Sequence, residues 1–437
     1  MQNFFNLNYF RNFFNTSTKK RLTENFLSLS ALQAVNYLLP LITLPYLVRV
    51  LGPEKFGLVT FAQAFIMYFV ILTDYGFNLS ATREVSINRE KKGRVAEIFS
   101  SVMVVKFLLG TLSLLFLILI LIFIPKFRDD WLVYVFTSGI ILGNILFPVW
   151  FFQGMERMKY ITILNIVAKV IFTACIFIFI RKTEDYLYVP LINSMGFLVA
   201  GGLSLRIVSK NFGIKFILPS FEAIKHQLKE GWHIFISTAA ISLYTISNTF
   251  ILGLFTNNTI VGYYSAAEKI VRAVQGLLTP VSQTIYPHIS KLALESKERA
   301  LNFIRRLVKI VGGVSFIISL SIFIFANLIV NIILGPQYQQ SIIVLRILSF
   351  LPFIIFLTNM FGAQLLLPFN IKKLFTLSII IPSLLHIALL FPIAYFYKEI
   401  GVAILVISTE TMILLFRING IYLFHKDIFK GVFYDKK

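Results

Sequence analysis

Long apolar segments separated by short polar ones run along the whole chain. Each apolar segment reaches the roughly 20 residues that an α-helix needs to cross the hydrocarbon core of a bilayer. None of them shows the strict alternation of a strand, and a helix satisfies its own backbone hydrogen bonds in lipid. The pattern therefore predicts about twelve transmembrane helices, at 27–50, 57–79, 96–124, 130–152, 160–180, 186–208, 230–255, 258–285, 307–334, 341–367, 374–397 and 400–424.

The composition agrees with this pattern. Of the 437 residues, 57% are hydrophobic and only 14% are charged, and the mean hydropathy is +0.80. Soluble proteins carry about 25% charged residues, so a chain this apolar needs lipid as its solvent. The predicted fold class is an all-α polytopic membrane protein. The one cysteine, Cys175, lies inside an apolar segment, and no disulfide framework, metal site or other cofactor is expected.

The basic residues indicate the orientation of the chain in the membrane. If both termini lie on one side, the loops of that side carry 27 Lys and Arg residues, whereas the opposite loops carry six. The positive-inside rule then places both termini in the cytoplasm. This topology accounts for most of the net charge of +21, so no nucleic-acid partner is predicted. The segment 1–26 lacks a signal-peptide cleavage site and is expected to be a cytoplasmic interfacial helix or a disordered tail.

Eight basic and three acidic residues remain inside the predicted spans. A charge at the centre of a membrane helix costs about 2.5–3.5 kcal/mol, so such residues usually face a partner or a wet cavity. An interior with this excess of cations suits an anionic substrate. The basic residues are Arg49, Lys106, Lys169, Arg206, Lys269, Arg272, Arg346 and Arg417, and the acidic ones are Asp74, Glu268 and Glu410.

Some of these charges also have simpler explanations. Glu268 and Arg272 are four residues apart, so they could form an ion pair within one helix. The three lysines lie well inside their apolar segments and are better explained by a cavity. Four arginines near the ends of spans could instead extend their side chains to lipid headgroups; they are Arg49, Arg206, Arg346 and Arg417.

The longest cytoplasmic connection, 209–229, divides the chain into two halves of six spans each. We expect an N-terminal lobe at 27–208 (TM1–TM6), a C-terminal lobe at 230–425 (TM7–TM12) and a cytoplasmic tail at 426–437. Because both halves start in the cytoplasm, they are expected to be parallel repeats. A pseudo-two-fold axis along the membrane normal would relate them, with a central site between the lobes.

The second span of each half carries a similar pattern of small residues. FGLVTFAQAF at 56–65 aligns with VGYYSAAEKI at 261–270 at a constant offset of 205. This alignment matches Gly57 with Gly262, Thr60 with Ser265, Ala62 with Ala267, and Gln63 with Glu268.

Proline and glycine punctuate the first span. Pro40 and Pro45 are expected to kink it and to act as a hinge. Gly52 and Pro53 are expected to end it, and the segment GPEKFG is expected to form a tight turn into the second span.

The segment SLSALQAVNYLLPLITLPYLVRVLGPEKFGLVTFAQAF at 28–65, with DYGFNLSATREVS at 74–86, resembles the N-terminal signature of the O-antigen and capsular polysaccharide flippases. These proteins form the polysaccharide-transport branch of the multidrug/oligosaccharidyl-lipid/polysaccharide (MOP) exporter superfamily. PVWFFQGMERMKY at 148–160 also fits the family. The matching residues are Gln33, Tyr37, Pro40, Pro45, Arg49, Leu51, Gly52, Phe56, Gly57, the DYGF sequence at 74–77, the ATR sequence at 81–83, Trp150, Gln153, Gly154 and Glu156.

The resemblance implies a V-shaped, two-lobed, MATE-like bundle in the bacterial cytoplasmic (inner) membrane that alternates between inward-open and outward-open forms. The implied cargo is an O-antigen (lipopolysaccharide) or capsule repeat unit on undecaprenyl pyrophosphate. The flippase would move this glycan from the cytoplasmic leaflet to the outer leaflet. A polysaccharide polymerase and a chain-length regulator would be its protein partners in polysaccharide biosynthesis.

On this hypothesis the pyrophosphate is the anion that the cationic interior binds. A carboxylate beside cations titrates differently in two states, which would couple H+ or Na+ to the cargo. Asp74 also has a simpler interpretation, as a cap of the DYGF turn against Arg83. The candidate substrate-binding residues are Arg49, Gln63, Lys106, Lys169, Lys269 and Arg272, and the candidate coupling-cation residues are Asp74, Glu268 and Glu410.

Three other functions compete with this hypothesis. A multidrug or cation antiporter of the same superfamily would need a more acidic interior. A polytopic polysaccharide polymerase or a lipid-linked glycosyltransferase would need a sizeable outer loop or a metal-binding acidic pair, whereas the outer loops are short and contain no DxD or HExxH pattern. A channel or passive scramblase stays open as an alternative. The sequence favours a transporter over an enzyme.

Overall fold

A computed structural model of the chain describes residues 17–428, and every regular element within them is a helix. The first half contains α1 (Ser17–Asp74), α2 (Phe77–Ile87), α3 (Lys92–Phe123), α4 (Pro125–Arg128), α5 (Trp131–Leu146), α6 (Val149–Gly154), α7 (Met158–Phe179) and α8 (Tyr188–Phe212). The second half contains α9 (Phe221–Phe255), α10 (Asn258–Glu295), α11 (Lys297–Ile324), α12 (Ala326–Ile329), α13 (Ser341–Leu348), α14 (Leu351–Asn359) and α15 (Lys372–Phe424). Short 3-10 turns at Thr183–Leu187 and Pro336–Tyr338 and π-helical turns at Val330–Leu334 and Met360–Leu366 complete it.

Each of the twelve predicted spans is largely helical, although short breaks interrupt those at 57–79, 130–152, 307–334 and 341–367. Within the described chain, eight helical segments are long and apolar enough to cross a membrane. Two of the long helices, α1 and α15, each hold two predicted spans joined at one non-helical residue, Gly52 or Lys398. The predicted fold class, an all-α polytopic membrane protein, is confirmed.

The break between the first two spans is confined to Gly52. Its φ of 70° lies in the left-handed region that glycine adopts without steric cost. Pro53 then opens the next span, where a helix needs no backbone N–H. The predicted end of the first span is confirmed, but the expected GPEKFG turn is a single residue because the helix resumes at once. The backbone around Pro40 and Pro45 is helical, and their role as a hinge stays a prediction.

The helices group into two compact units, each with its own core. Unit 1 comprises residues 17–39, 66–179 and 187–240, and unit 2 comprises residues 40–65, 180–186 and 241–428. The lobe bounds at 27–208 and 230–425 stay a prediction.

Small residues let α5 and α8 approach closely in unit 1. A Cβ added to Gly143 would lie 2.5 Å from the Cβ of Phe197, and one added to Gly201 would lie 2.7 Å from the Cβ of Leu146. The Ser204 hydroxyl donates to the carbonyl oxygen of Leu146 across the same contact, at 3.1 Å. In lipid, such close approach and interhelical hydrogen bonding hold helices together.

The segment PVWFFQGMERMKY belongs to the core of unit 1. Its three aromatic residues at 150–152 are fully buried in an aromatic cluster. The turn that follows contains Glu156 at φ 54°, and Asn25 fastens this turn to α1. The Asn25 amide donates to the Glu156 carbonyl and accepts from the backbone N–H of Met158, both at 3.1 Å. Arg89 pairs with the Glu156 carboxylate at 2.7 Å. This motif of the resemblance therefore has a packing role.

In unit 2, the two glycines matched by the internal repeat contact each other. A Cβ on Gly57 would lie 1.7 Å from the carbonyl oxygen of Asn258 and 2.7 Å from the backbone nitrogen of Gly262. A Cβ on Gly262 would lie 2.0 Å from the carbonyl oxygen of Pro53. The crossing of these two spans therefore depends on the absence of both side chains.

We expect Gly57→Ala to lower the thermal stability of the purified protein strongly. The added methyl group meets rigid backbone rather than a side chain that can move, so its cost exceeds the about 1–3 kcal/mol typical of overpacked cores. Gly202→Ala is the matched control, because Gly202 is also helical and nothing lies within 4 Å of its added Cβ. Unfolding followed by intrinsic fluorescence in detergent measures both. Equal melting temperatures for the two variants would contradict the close crossing.

Candidate functional site

Lys106 and Asp74 form an ion pair inside unit 1. The Lys106 ammonium donates to Asp74 Oδ1 at 3.1 Å, to Asn144 Oδ1 at 3.1 Å and to the Asn144 carbonyl at 3.2 Å. Its side chain is only 2% exposed, whereas that of Asp74 is 28% exposed. Three oxygens thus satisfy a lysine that lies in the middle of α3.

The DYGF sequence positions Asp74 for this contact. Tyr75 (φ 42°) and Gly76 (φ 76°) are left-handed and stop α1 at Asp74, and α2 begins at Phe77. Gly76 is needed for a second reason, because a Cβ there would lie 2.8 Å from the Ile234 side chain. The sequence offered a cap against Arg83 as the simpler interpretation of Asp74. The structure instead gives its carboxylate a partner on α3.

Lys169 is a second cation of unit 1 and has a weaker partner. Its ammonium donates to Asn36 Oδ1 at 2.6 Å, and the side chain is half-buried in α7. Among the described residues no carboxylate forms an ion pair with it. Lys169 therefore keeps a net positive charge inside an apolar span.

In unit 2, three charged candidates line one small polar cavity of about 100 Å³: Glu268 and Arg272 from α10 and Glu410 from α15. Glu268 Oε1 accepts from Arg272 Nε at 3.0 Å and from Nη2 at 2.7 Å, so the expected intrahelical ion pair forms. The Glu268 side chain is 16% exposed, and that of Arg272 is 53% exposed.

Uncharged polar groups complete the wall of this cavity. Thr245 and Asn248 of α9 line it, and the Thr245 carbonyl accepts from Arg272 Nη2 at 3.3 Å. Tyr264 lines it too, and its buried hydroxyl has no hydrogen-bond partner within the described part of the chain. Carboxylates, an amide and an unpartnered hydroxyl are oxygen ligands of the kind that hard cations take.

A larger cavity of about 630 Å³ lies beside the first in unit 2 and shares Gln275 and Ile355 with it. Amides and hydroxyls are mixed with apolar groups along its wall. Gln364 donates to the Ser282 carbonyl at 2.8 Å, and its own buried Oε1 has no partner among the described residues. The polar lining residues are Gln275, Ser282, Tyr286, Asn359 and Gln364.

The other predicted site residues lie elsewhere in unit 2. The Arg49 guanidinium is exposed and donates to the Ile332 carbonyl, which holds the end of the first span. Lys269 is half-buried, and its ammonium lies 5.1 Å from the centre of the Phe56 ring. Gln63 is half-buried in α1. None of these three lines the polar cavity.

Arg417 does not extend to lipid headgroups, which is the interpretation that the sequence allowed. It is 4% exposed and donates through Nε to the Ser378 hydroxyl at 2.9 Å and through Nη1 to the Thr358 carbonyl. A Cβ on Gly362 would collide with its guanidinium. Arg417 therefore ties both halves of α15 to α14, and the span end that suggested lipid exposure is enclosed by protein.

The sequence analysis missed several polar partners: Asn36, Asn144, Asn248, His386 and Thr409. Each is an uncharged or weakly basic residue in an apolar segment, and their common signal is an amide, hydroxyl or imidazole where lipid-facing residues are expected. No group of three or more His, Cys, Asp and Glu side chains positioned to hold a metal ion occurs in the described chain.

Comparison with known proteins gives the following similarities. Residues 22–293 match the model of a family described as polysaccharide biosynthesis protein. The chain is 37% identical over 397 residues to an Escherichia coli (strain K12) protein named "Putative O-antigen transporter", covering 91% of this chain and 96% of that protein. A Shigella dysenteriae protein of the same name is 30% identical over 402 residues, covering 92% of this chain and 100% of that protein.

Two solved structures share the fold. The lipid II flippase MurJ, in its inward closed conformation, has a TM-score of 0.69 at 14% identity, over 93% of this chain and 90% of that one. An inward-facing MATE family multidrug resistance transporter of the MOP superfamily has a TM-score of 0.62 at 14% identity, over 91% of this chain and 96% of that one. At this identity the likeness concerns the fold, and it agrees with the predicted MOP-like bundle.

The Lys106–Asp74 pair predicts non-additive stability changes. Asp74→Ala leaves a fully buried ammonium without its counter-charge, which costs about 3–5 kcal/mol. The double variant Asp74→Ala/Lys106→Met removes both charges and is expected to recover most of that loss. The exposed pair of Arg94 and Glu97, 2.6 Å apart, is the control, and Arg94→Met should change stability by less than about 1 kcal/mol. Thermal unfolding of the purified variants gives the coupling. Stability changes that add up between the single and double variants would show that Asp74 and Lys106 are not coupled, and would contradict the ion pair.

Proposed function

The chain belongs to the polysaccharide biosynthesis protein family, and from this we propose that it flips an oligosaccharide on undecaprenyl pyrophosphate across the bacterial inner membrane. The repeat unit of an O-antigen or capsule would move from the cytoplasmic leaflet to the outer leaflet by alternating access. Both termini would lie in the cytoplasm. The prediction of a membrane transporter, rather than an enzyme, is confirmed by the relatives named as transporters.

The observation that carries the cargo proposal is the uncompensated charge of Lys169. Within the described part of the chain, this half-buried ammonium donates only to the Asn36 amide, which leaves two of its protons for a ligand. Holding such a charge in an apolar span is costly. A pyrophosphate that binds there would offset this free-energy cost through charge-assisted hydrogen bonds. Lys169 is therefore proposed to contact the pyrophosphate.

Arg272 is the corresponding candidate in unit 2. Its side chain is 53% exposed, and its guanidinium pairs with Glu268. A planar guanidinium matches the geometry of phosphate oxygens, so a phosphate could compete with Glu268 for it. We assign weaker contacts with the cargo to Arg49, Gln63 and Lys269. The Arg49 guanidinium donates to a backbone carbonyl, the Gln63 side chain is half-buried, and the Lys269 ammonium lies over an aromatic ring.

The larger cavity of unit 2 is proposed to contact sugars. Sugar rings present hydroxyl groups that both donate and accept, and its amides and hydroxyls can do the same. The apolar groups between them match the C–H faces of a pyranose. Lys106 keeps a structural role in this proposal, since its protons are already taken by Asp74 and Asn144.

Coupling to a cation is proposed for the small polar cavity. Glu268 and Glu410 face the same space as the unpartnered hydroxyl of Tyr264. A cation held there would compete with Arg272 for the Glu268 carboxylate. Its arrival would then free the guanidinium for the cargo, and its departure would restore the ion pair, which couples the two ligands.

A strain that lacks its own flippase tests the cargo proposal. Wild-type protein is expected to restore surface polysaccharide. Lys169→Gln, which removes the charge and keeps a similar length, is expected to lower export at least ten-fold at matched membrane levels. Lys169→Arg restores the charge and is expected to retain most of the export. Immunoblotting of surface polysaccharide and of the protein measures both quantities.

Full export by Lys169→Gln would show that this charge does not act on the cargo. Loss of the protein from the membrane would show instead that Asn36 and Lys169 serve folding. Export of cationic dyes by the wild type, without polysaccharide, would favour the multidrug antiporter.

The cation proposal predicts that transport depends on two acidic residues of the cavity for its coupling to an ion gradient. Glu268→Gln and Glu410→Gln are expected to make transport insensitive to the coupling-ion gradient, because each removes a charge from the cavity. Glu97→Gln is the control, since Glu97 pairs with Arg94 at the surface. Transport by purified protein in liposomes with imposed H+ or Na+ gradients measures the effect. Unchanged gradient dependence in both cavity variants would contradict the site.

A further inference from the structure

His386 is a fully enclosed histidine in the first half of α15. It is 1% exposed, and polar groups contact both of its ring nitrogens. Nδ1 lies 2.8 Å from the Thr409 hydroxyl on the second half of α15, and Nε2 lies 2.8 Å from Asn248 Oδ1 on α9. Burying an imidazole in an apolar bundle with a partner at each nitrogen is a specific arrangement, and neither the fold nor the ion pairs described above require it.

The register of α15 explains how these groups meet. The helix reverses at Lys398, so its two halves run antiparallel. Arg417 contacts Ser378, and Thr409 contacts His386 eight residues nearer to Lys398 in each half. The same hairpin therefore carries two polar contacts, and only the one at His386 contains an imidazole, which can gain and lose a proton.

The donors and acceptors around His386 determine which protonation states of the imidazole this network can hold. Asn248 Oδ1 only accepts, so Nε2 carries a proton. The Thr409 hydroxyl has one proton and two acceptors within reach, His386 Nδ1 and the Leu405 carbonyl at 2.7 Å. When the imidazole is neutral, the hydroxyl donates to Nδ1. When Nδ1 is protonated, it donates to the hydroxyl oxygen, and the hydroxyl proton turns to Leu405.

The network thus accepts one proton without moving a heavy atom. Both ring nitrogens and the Thr409 hydroxyl keep a partner in both states, so none of these three groups is left unpaired by the proton. The Leu405 carbonyl that takes the displaced hydroxyl proton lies one turn earlier in the same helix.

Asn248 connects this proton to the polar cavity. The residue lines the cavity and also accepts from His386, so a single amide separates the imidazole from the cavity. The charged groups that face this region are Glu268 and Arg272 on α10 and Glu410 on α15, while α13 and α14 contribute the apolar Leu348, Leu351 and Ile355. A proton on His386 therefore adds positive charge one amide away from the wall of this cavity.

We propose that His386 is the proton-binding group of this transporter, with Thr409 as the acceptor that makes protonation possible and Asn248 as its link to the cavity. A water-derived proton adds to the lone pair of Nδ1 and leaves from the same atom, and no other bond changes. The positive charge of the imidazolium and that of a cation bound in the cavity oppose each other. The proposal rests on the proposed function in that it assigns the proton as a coupling ion.

Proteoliposomes of the full chain, loaded with a pH-sensitive dye and a pyrophosphate-linked oligosaccharide, test the proposal. Wild-type protein is expected to move protons together with the glycolipid. His386→Gln, which still donates to Asn248, is expected to reduce cargo-dependent proton movement at least ten-fold, as is Thr409→Val. Thr409→Ser retains the hydroxyl and is expected to retain proton movement. His288→Gln is the control, because His288 is an exposed histidine in edge-to-face contact with Phe303.

A second measurement does not depend on transport. In histidine-labelled protein, the imidazole resonance that is lost in His386→Gln is expected to shift with pH, and Thr409→Val is expected to change that shift. A resonance that stays constant over the pH range in which the protein is folded would overturn the proposal, as would wild-type proton movement in both His386→Gln and Thr409→Val. If the wild type moves no glycolipid but the resonance titrates, the proposed function fails and the proton site stands.

Discussion

The whole structure depends on one constraint, which is that polar groups within the spans must find partners inside the protein. Water is absent from the hydrocarbon core, so an unpaired charge or amide there is costly. Three in-span charges accordingly have specific polar partners: Asp74 and Asn144 around Lys106, Asn36 against Lys169, and Ser378 and Thr358 around Arg417. The differences between these sets of partners separate charges with a structural role from charges that are available to a ligand.

The same constraint explains why small residues are placed where helices cross. Lipid offers no hydrophobic drive for helices to associate, so stability comes from close packing and interhelical hydrogen bonds. Gly57 against Gly262 and Gly143 against Phe197 bring backbones together, and hydroxyls such as Ser204 use that proximity to reach carbonyls on the neighbouring helix. Unit 2 also contains a small polar cavity, which is lined by carboxylates, amides and hydroxyls.

Much of the fold follows from the sequence, because hydropathy and helix-breaking residues are local signals. The twelve spans, the break at Gly52 and the stop after Asp74 all come from residues adjacent in the chain. The partners of the charges do not, since Asp74 and Lys106 are 32 residues apart and His386 and Asn248 are 138 apart. The sequence separated arginines near span ends from lysines well inside the spans, but it could not separate one lysine from another. Only the contacts of the described residues distinguish Lys106, which donates to three oxygens, from Lys169, which donates to one.

The most direct test of the account is whether transport requires the negative charge of the cargo headgroup. Purified protein in liposomes would be given two fluorescent polyprenyl glycolipids with the same sugars, one linked through pyrophosphate and one through a neutral linker. A membrane-impermeant glycosidase would report which glycans reach the outer leaflet. The account predicts protein-dependent translocation of the pyrophosphate-linked glycan and little of the neutral one. Equal translocation of both, or none above protein-free liposomes, would contradict it.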